Sequence, residues 1–536
     1  MDNKKPKLRE RALFLLNPEA GQRAFSARLK REREAAKESG AAHSTQMAAT
    51  GYGNHGASTT LNSMIGWLVG GGSAEDDSDL HGALLRLRSR DLYAGGGLAR
   101  SAVDVLVNNV IAWGIRPKPS IDAEALGMSE EACDEWERNT LREFRLWAEN
   151  AMCDAERQEN FYGLQQLAFR SMLVSGDSFA LFGMRENPRT PYQTTLRILE
   201  ADRVSTPEGS PGESESTETA GGGRIVDGVE IDKEGMVIRY HIANRHPLLE
   251  SSSADIEWKP IDAFGKDTGF PNILHIMMRE RPEQRRGVPL VACVIEQIKQ
   301  LDRYITAELA ANIVASLFAL FLTSENDDSM MGFEDAVNEE DKVTDDELHV
   351  ELAPGIVIDL PPGKKVADVN PGRANTAFGP FVEAMQTTIG ASMNIPKEVL
   401  TQKYESNYTA ARGAKLDFWR LVTIYRHDFN DSFNQPVYEM WLSEAVAAGR
   451  IEAPGFFDDP MLRQAWCGCT WMGASMGHID PLKEVNAAAK RIELNISTEE
   501  QEAAEYNGND WRANIRQRKA EKAAFDDMKE GEGNAE

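Results

Sequence analysis

Residues 289–322 carry the strongest periodic pattern of apolar side chains in this sequence. The pattern consists of Leu290, Val294, Ile298, Leu301, Ile305, Leu309 and Ile313. A spacing of three or four residues places such side chains on one face of a helix. At 1.5 Å per residue, this segment would span about 50 Å as a helix. We therefore predict one long helix that packs lengthwise against other elements.

A second long helix is predicted from residue 408 to about residue 441. Its apolar stripe consists of Phe418, Val422, Tyr425, Phe429 and Phe433. Pro436 is expected to kink this helix, because proline lacks a backbone donor and its ring clashes with the carbonyl of Ser432. Each of the two stripes has two candidate partners, the core of the same subunit and the surface of a neighbouring copy.

The sequence before residue 289 mixes two periodicities. Helical patterns cover residues 130–147 and 161–175, whereas residues 179–270 contain short alternating runs that are typical of strands. The Gly-, Ser- and Glu-rich insert 206–223 is expected to be a flexible surface loop. With 536 residues, the chain exceeds one compact domain. We predict an α+β, multidomain protein.

The charge balance excludes one class of function. The chain has 59 Lys and Arg against 85 Asp and Glu, a formal net charge of −26. Such a molecule repels phosphates, so it is not a basic protein that coats nucleic acid. The acidity also has a simpler explanation, which is solubility.

Cysteine content and hydropathy bear on the compartment. Five cysteines, an odd number in a long chain, argue against a disulfide framework and favour a reducing compartment. The N-terminus lacks a secretory signal pattern. The longest uncharged helical stretch, 309–322, falls short of the roughly 20 residues that cross a bilayer. We expect a soluble protein without a membrane partner.

Signatures of known enzyme classes are weak. No phosphate-binding loop of the G-x-x-x-x-G-K-[ST] type occurs, and no nucleophile elbow G-x-S-x-G. No two histidines have the spacing of a helical zinc site, and Cys467 and Cys469 are interpreted as small buried thiols. We therefore predict no catalytic residues, no metal and no cofactor. Because 85 carboxylates place some pairs close together by chance, a metal-dependent nuclease stays open as an alternative.

Seven blocks of the sequence, in order, resemble one protein family. They are RSRDLYAGGGLARSAVDVLVNNVIAWGIRPKP (88–119), LWAENAMCDAERQENFYGLQQLAFRSMLVSGDSFALF (146–182), DGVEIDKEGMVIRYHIANRHP (227–247), RPEQRRGVPLVACVIEQIKQLDRY (281–304), LAPGIVIDLPPGKKV (352–366), NYTAARGAKLDFWR (407–420) and WMGASMGHIDPLKEVNAA (471–488). Together they resemble the lambda-type family of bacteriophage portal proteins, although Thr409 and Ala410 stand where two serines are usual.

The resemblance implies a ring of about twelve copies at one capsid vertex, in the virion and, during assembly, in the host cytoplasm. Duplex DNA would pass through the ring during packaging and ejection. The implied partners are the terminase large subunit, a head–tail adaptor, and the major capsid or scaffold protein. Another capsid or connector protein is a second alternative.

The resemblance also implies a division into domains. The expected parts are a leader (1–83), a wing (84–286), a stem helix (287–323), a clip with an acidic segment (324–373), a second stem helix (374–395), a channel loop (396–409), a long kinked helix with the wing return (410–470), and a helical crown and polar tail (471–536).

Two sets of site residues follow from this mapping. The channel loop would line the narrowest bore and touch DNA through Lys403, Tyr404, Glu405, Ser406, Asn407 and Tyr408; an ordinary connection between helices is the alternative. The acidic segment 325–347 has 11 acidic residues and one lysine. It would dock the terminase or the adaptor through Asp345, Asp346 and Glu347, or else form a solvated loop.

Overall fold

The structure, a computed structural model, describes residues 71–77, 79–207, 216–219, 222–247, 256–317, 320–322, 357–359, 377–404, 408–477, 481–507 and 511–533. The chain divides into two compact units, residues 1–73 and residues 74–536. Of the first unit only residues 71–73 are described, and they form neither helix nor strand. All elements below belong to the second unit, which mixes helices and strands as predicted.

The described helices, in chain order, are α1 (Ala74–Asp77), α2 (Gly82–Gly95), α3 (Gly97–Val110), α4 (Ala123–Leu126), α5 (Glu130–Ala148), α6 (Phe161–Ser175), α7 (Ile295–Leu317), α8 (Phe378–Ser392), α9 (Lys397–Thr401), α10 (Tyr408–Phe429), α11 (Gln435–Ala447), α12 (Pro460–Trp466), α13 (Pro481–Glu493), α14 (Glu499–Asn507) and α15 (Trp511–Gly533). The described strands are β1 (Arg116–Pro119), β2 (Asp177–Met184), β3 (Thr194–Leu199), β4 (Ser216–Glu218), β5 (Arg224–Val226), β6 (Val229–Ile231), β7 (Val237–Ala243), β8 (Trp258–Asp262), β9 (Ile273–Met277), β10 (Leu320–Leu322), β11 (Val357–Asp359) and β12 (Cys469–Met472).

Of the four described sheets, two antiparallel ones have more than two strands. The larger sheet has the order β4-β5-β6-β7-β8, and the smaller one has the order β3-β2-β9. In the smaller sheet Phe179 lies opposite both Leu199 and His275. Phe179, together with Val226, Val229 and Tyr240, forms a small core between the two sheets. The alternating pattern of residues 179–270 therefore predicted the strands correctly.

The main core is helical and rich in aromatic side chains. Phe144 and Trp147 on α5 contact Phe161 on α6 with ring centroids 5.8 and 5.3 Å apart. The pair β1–β12 joins Arg116 to Met472 and so brings the late part of the chain back onto the early helices. N-caps define where these helices begin. The Ser129 hydroxyl accepts the amide of Ala132 before α5, and the Asn160 side chain accepts that of Gly163 before α6.

The predicted helix over residues 289–322 is shorter than expected. Residues Ala292–Val294 form a 3₁₀ turn, and the α-helix α7 runs over 23 residues, about 34 Å at the usual rise. After a short gap, Leu320–Leu322 form strand β10, which pairs in parallel with β11. A short run of Leu and Phe suits a strand once a partner strand is present. Strand β11 lies within the sequence block 352–366.

Pro436 is accommodated by a change of helix type. Residues Asn430–Asn434 form a π-helical turn between α10 and α11, and Pro436 occupies the first turn of α11. The Gln435 amide donates to the carbonyl of Asn430, five residues earlier. A proline in a first helical turn needs no amide donor, so its missing N–H costs nothing here. The wider π-helical turn relieves the expected clash between the proline ring and the Ser432 carbonyl.

Two expectations about peripheral segments also change. Within the insert 206–223, residues Ser216–Glu218 form the edge strand β4, so this part is not a free loop. Within the expected leader 1–83, Asp79 is buried, and its carboxylate accepts the backbone amide of Arg285 at 2.9 Å. Ala74, Gly82 and Ala83 are also buried, so this end of the expected leader is packed into the fold.

Candidate functional site

A buried cluster of ion pairs fixes the segment that leads into α7. The Arg286 guanidinium is fully buried and contacts Asp177 on β2 at 2.6 Å and Asp227 at 3.0 Å. Arg86 on α2 bridges the Asp227 carboxylate at 3.0 Å and the Asp202 carboxylate at 2.7 Å. The cluster thus joins α2, both sheets and the residues before α7.

Hydrogen bonds satisfy the Arg286 guanidinium almost completely. Besides the Asp177 carboxylate, it donates to the backbone carbonyls of Val204 at 2.8 Å and Ala201 at 2.9 Å. Burial alone would raise the pKa of Asp177, but the charge of Arg286 overrides it and the pKa lies far below its ordinary value. Burial lowers the pKa of His275, and its hydrogen bond to Asp177 opposes this only in part.

Two glycines cross beside this cluster. A Cβ on Gly287 would lie 1.9 Å from the carbonyl oxygen of Gly176, and a Cβ on Gly176 would lie 2.4 Å from the carbonyl oxygen of Gly287. Gly176 also has a φ of +90°, a left-handed value that favours glycine. The backbone between α6 and β2 can therefore contact the segment before α7 only because positions 176 and 287 are both glycine.

Sequence reasoning did not identify the residues of this cluster. Its signal was nevertheless present, because Arg286 and Gly287 lie in the block 281–304 and Gly176 and Asp177 lie in the block 146–182. The buried carboxylates Asp202 and Asp227 had no distinguishing local pattern among 85 acidic residues.

The predicted channel loop is held at its base by the short helix α9. Leu400 is buried, and its carbonyl accepts a hydrogen bond of 2.5 Å from the Ser101 hydroxyl on α3. Upstream, the Ile395 amide donates to the Gly390 carbonyl at 2.8 Å and turns the chain after α8. Gln402 then adopts a left-handed φ of +55°. The loop leaves the core at a defined point.

Beyond Gln402 the described residues project into solvent. Lys403 is exposed, and the Tyr404 side chain is 65% exposed. Glu405, Ser406 and Asn407 lie outside the described residues, and Tyr408 begins α10. At the base of the loop, Lys397 forms an ion pair with Glu383, and this hydrogen bond lowers the pKa of the Glu383 carboxyl.

The outer half of α7 presents an apolar face to solvent. Val294, Ile298 and Leu301 are buried, but Ile305, Leu309 and Ile313 are 39%, 59% and 52% exposed. Between the two halves, the ring of Tyr304 packs on α8, with centroids 5.6 Å from Phe378 and 4.8 Å from Phe381. Helix α7 therefore contacts α8 at Tyr304, and the apolar side chains of Ile305 and Leu309 that follow are exposed.

Helix α10 also exposes part of its surface. Its apolar stripe, which continues into the π turn at Phe433, is buried within the subunit, the first of the two alternatives. Leu416 and Ile424 on another face are 41% and 54% exposed. Asp345, Asp346 and Glu347, the predicted docking residues, lie outside the described residues.

Chemistry-bearing clusters are sparse in the part of the chain that the structure describes. Among the described residues, no group of three His, Cys, Asp or Glu side chains is arranged to hold a metal ion. Cys467 is buried, and burial raises the pKa of its thiol to about 12. Cys469 is only partly buried, unlike the buried thiol predicted there, and desolvation raises the pKa of its thiol well above its ordinary value. None of the described helices combines the length and the apolar content needed to span a bilayer.

Comparison with known proteins gives relatives over most of the chain. The chain is 24% identical to Portal protein B of Escherichia phage lambda over 443 residues, which cover 79% of this chain and 80% of the relative. It is 24% identical to the portal protein of Escherichia phage N15, covering 79% and 81% of the two chains. It is 23% identical to a probable portal protein of Halomonas phage phiHAP-1, covering 76% and 74%.

Solved structures with a similar fold include two particle necks. One, described as the neck of an empty GTA particle computed with C6 symmetry, has a TM-score of 0.40 and 13% identity, and covers 78% of this chain and 92% of its own. The other, the neck of a native GTA particle computed with C12 symmetry, has a TM-score of 0.37 and 12% identity, with coverage of 79% and 92%.

The family described as phage portal protein, lambda family, matches residues 60–426. This match includes six of the seven sequence blocks, the buried ion-pair cluster and the base of the loop; block 471–488 lies beyond it. The resemblance inferred from the motifs is confirmed, and this chain belongs to the lambda family of phage portal proteins.

Proposed function

We propose that about twelve copies of this chain form a ring at one vertex of a phage capsid, and that duplex DNA passes through the ring during packaging and ejection. Family membership supports the portal role. The observation that carries the ring is the apolar face of α7, where Ile305 and Leu309 are exposed in the single chain. Apolar surface of this kind gains free energy when a neighbouring copy covers it.

A closed ring of identical subunits requires two different contact surfaces on each copy. The exposed half of α7 supplies one apolar surface, and the exposed face of α10 with Leu416 and Ile424 supplies another. Packing α7 of one copy against its neighbour would extend the helix pair beyond Tyr304. This arrangement assigns the stripe of α7 to two partners, the subunit core up to Leu301 and a second copy after it.

The charge of the assembly suits passage better than tight binding. Twelve copies at −26 carry 12 × (−26) = −312 charges. A repulsive wall keeps DNA from settling into phosphate contacts, each of which would add affinity. We assign transient contact with DNA to residues 403–408 of the channel loop. The loop is anchored at Leu400, and the side chains of Lys403 and Tyr404 project into solvent.

In this proposal the chain is structural and performs no catalysis. DNA translocation and cleavage belong to a separate motor, the terminase. The terminase and the head–tail adaptor dock at the clip end of the ring, and we assign this docking to Asp345, Asp346 and Glu347. The protein then resides in the virion, after assembly in the host cytoplasm.

The ring is tested by the mass of the purified assembly, measured by native mass spectrometry. We expect a species of about twelve subunits for the natural chain and subunits or small oligomers for Leu309→Asp, because a buried unpaired charge opposes the contact. The matched control is Ala307→Asp, which adds the same charge to an exposed position roughly 160° around the helix. A stable monomer of the natural chain at every concentration would refute the ring.

The loop is tested separately in particles. Deleting residues 402–406 should leave the ring intact by mass and reduce the amount of DNA retained in filled heads. Normal filling with the deleted loop would show that this segment is an ordinary connection.

A further inference from the structure

A groove opens between the two sheets and the π-helical turn, away from α7 and the loop. Its volume is about 380 Å³, within the range of ligand-binding clefts in proteins. Its walls are mainly apolar: Tyr240 on β7, Met277 on β9, and Pro436 at the start of α11. Phe264 also lines the groove, and its side chain is 58% exposed.

The polar part of the groove is cationic. Arg279 and Arg285 both line it, and no Asp or Glu side chain does. Within the described residues neither guanidinium has a carboxylate oxygen within 4 Å, and the Nε of Arg285 is buried without a hydrogen-bond partner. The carboxylate of Asp79 accepts a hydrogen bond from the backbone amide of Arg285. Arg279 is exposed and Arg285 is partly buried, and both side chains are open to the groove.

Neighbouring residues hold the side chains of Arg285 and His275 in place. The Arg285 guanidinium lies against the turn at Gly235, where a Cβ would approach its Nη2 to 2.9 Å. The imidazole of His275 forms part of the wall and is fixed by stacking on Phe179 at 4.3 Å and by its hydrogen bond to Asp177. The π turn brings Ser432 and Pro436 to the opposite wall. Such turns occur frequently at functional sites.

We propose that this groove docks a short acidic peptide segment of a separate protein. One large apolar side chain of the segment would enter the groove between Phe264 and Pro436. Carboxylates next to it would pair with Arg279 and Arg285, where a planar guanidinium can hold a carboxylate through two hydrogen bonds. The inference goes beyond the proposed function, because neither ring closure nor passage of DNA uses this surface.

The charge pattern favours an acidic peptide over other ligands. An apolar peptide would leave both guanidinium groups without counter-ions in a partly desolvated site, and a basic peptide would be repelled. Nucleic acid would meet the overall charge of −26 and has no small apolar group to fill the groove.

The test selects peptides from a random displayed library on the assembled protein. We expect enrichment of sequences with Phe, Trp, Leu or Met flanked by Asp or Glu. The consensus peptide, labelled with fluorescein, is then measured by anisotropy. The double variant Arg279→Glu, Arg285→Glu should weaken its binding by about 100-fold, since two charge-assisted contacts are lost. Phe264→Ala should weaken it by about tenfold.

Arg189→Glu is the matched control, because Arg189 is exposed in a loop and does not line the groove. It should bind the peptide within twofold of the natural chain. Unchanged urea unfolding and unchanged assembly mass of the double variant show that its fold and its ring are intact. A failure of the docking proposal can therefore be distinguished from a failure of the ring proposal.

Three results would overturn the proposal. One is the absence of any enriched acidic and apolar consensus. Another is equal binding of the consensus peptide to the double variant. The third is tight binding of a synthetic peptide of residues 325–347 in competition with the consensus peptide, which would assign the groove to the chain's own acidic segment.

Discussion

The apolar stripes of α7 and α10 look alike in the sequence but are used differently in the fold. From Phe418 to Phe433 every member of the α10 stripe is buried in the same subunit, whereas the α7 stripe is buried only up to Leu301. Both stripes have helical periodicity, which reports the face of a helix and not its partner. The difference lies in what the rest of the chain places against each helix.

For α10 the partners are aromatic residues of α6. Phe429 lies 5.4 Å from Phe169, and Phe433 stacks on Phe161 at 5.8 Å. For α7 the last aromatic contacts described on its α8 side are those of Tyr304 with Phe378 and Phe381. The α10 stripe therefore contributes to the stability of the subunit, and the outer α7 stripe is available for assembly.

The largest effect is expected at Phe433, which is fully buried. Phe433→Ala should lower the free energy of unfolding by about 4 kcal/mol, because it removes a large side chain and leaves a cavity. Urea unfolding followed by tryptophan fluorescence at fixed protein concentration measures the change. A loss below about 1 kcal/mol would mean that the α10 stripe is not the core of the subunit.

A second large effect is expected at Arg286, which fixes the approach to the buried half of α7. Arg286→Met leaves the Asp177 carboxylate buried without its cation and should cost about 3 kcal/mol at pH 7. In the natural chain the pKa of Asp177 is lowered, so its stabilisation is present above the unfolded pKa near 4 and is lost as the pH falls through the folded pKa.

The pH dependence of the variant should have the opposite sign. Without Arg286, burial raises the pKa of Asp177, and either Asp177 or His275 takes up a proton as the pH falls from about 7 to 5. Protonation therefore stabilises the folded variant relative to the natural chain over this range. Unfolding free energies at several pH values measure it, with Arg189→Met as the exposed control. Parallel pH profiles would refute the role assigned to this cluster.

A smaller effect separates the two halves of α7 directly. Leu301→Ala should cost about 2–3 kcal/mol of subunit stability, because Leu301 is only 3% exposed. Leu309→Ala, at 59% exposure, should change it by less than about 0.5 kcal/mol but weaken the ring, as measured by native mass spectrometry on dilution. Equal effects of the two substitutions on subunit unfolding would remove the distinction between the halves.

The sequence predicted elements better than it predicted their ends and partners. The periodic segments 130–147 and 161–175 match α5 and α6, because an amphipathic face and N-cap residues are encoded locally. The end of α7 was misplaced, because the run Leu320–Leu322 changes from helix to strand only when β11 pairs with it. The π turn before Pro436 was missed, since proline signals a disruption and not the form that relieves it.

For the candidate sites too, sequence motifs were informative where the signal is local and uninformative where it depends on tertiary contacts. The motif order identified the family, whereas the place of the channel loop stays a prediction. The ion-pair cluster and the cationic groove were not predicted. Arg286 and Asp227, for example, are more than 50 residues apart in the sequence, and only the fold brings them and Asp177 together. Local pattern cannot report such contacts.

The smallest effect concerns the anchor of the loop. Ser101→Ala removes one hydrogen bond to the Leu400 carbonyl and should cost about 1 kcal/mol. Because Leu400 stays buried, we expect the subunit fold and the ring to persist while residues 397–404 exchange their amide hydrogens several-fold faster, as measured by hydrogen–deuterium exchange with mass spectrometry. Ser101→Thr retains the hydroxyl and is the control. Unchanged exchange at 397–404 in Ser101→Ala would mean that apolar contacts alone position the loop. The loop would then be held by burial, as the α10 stripe is, and not by a hydrogen bond.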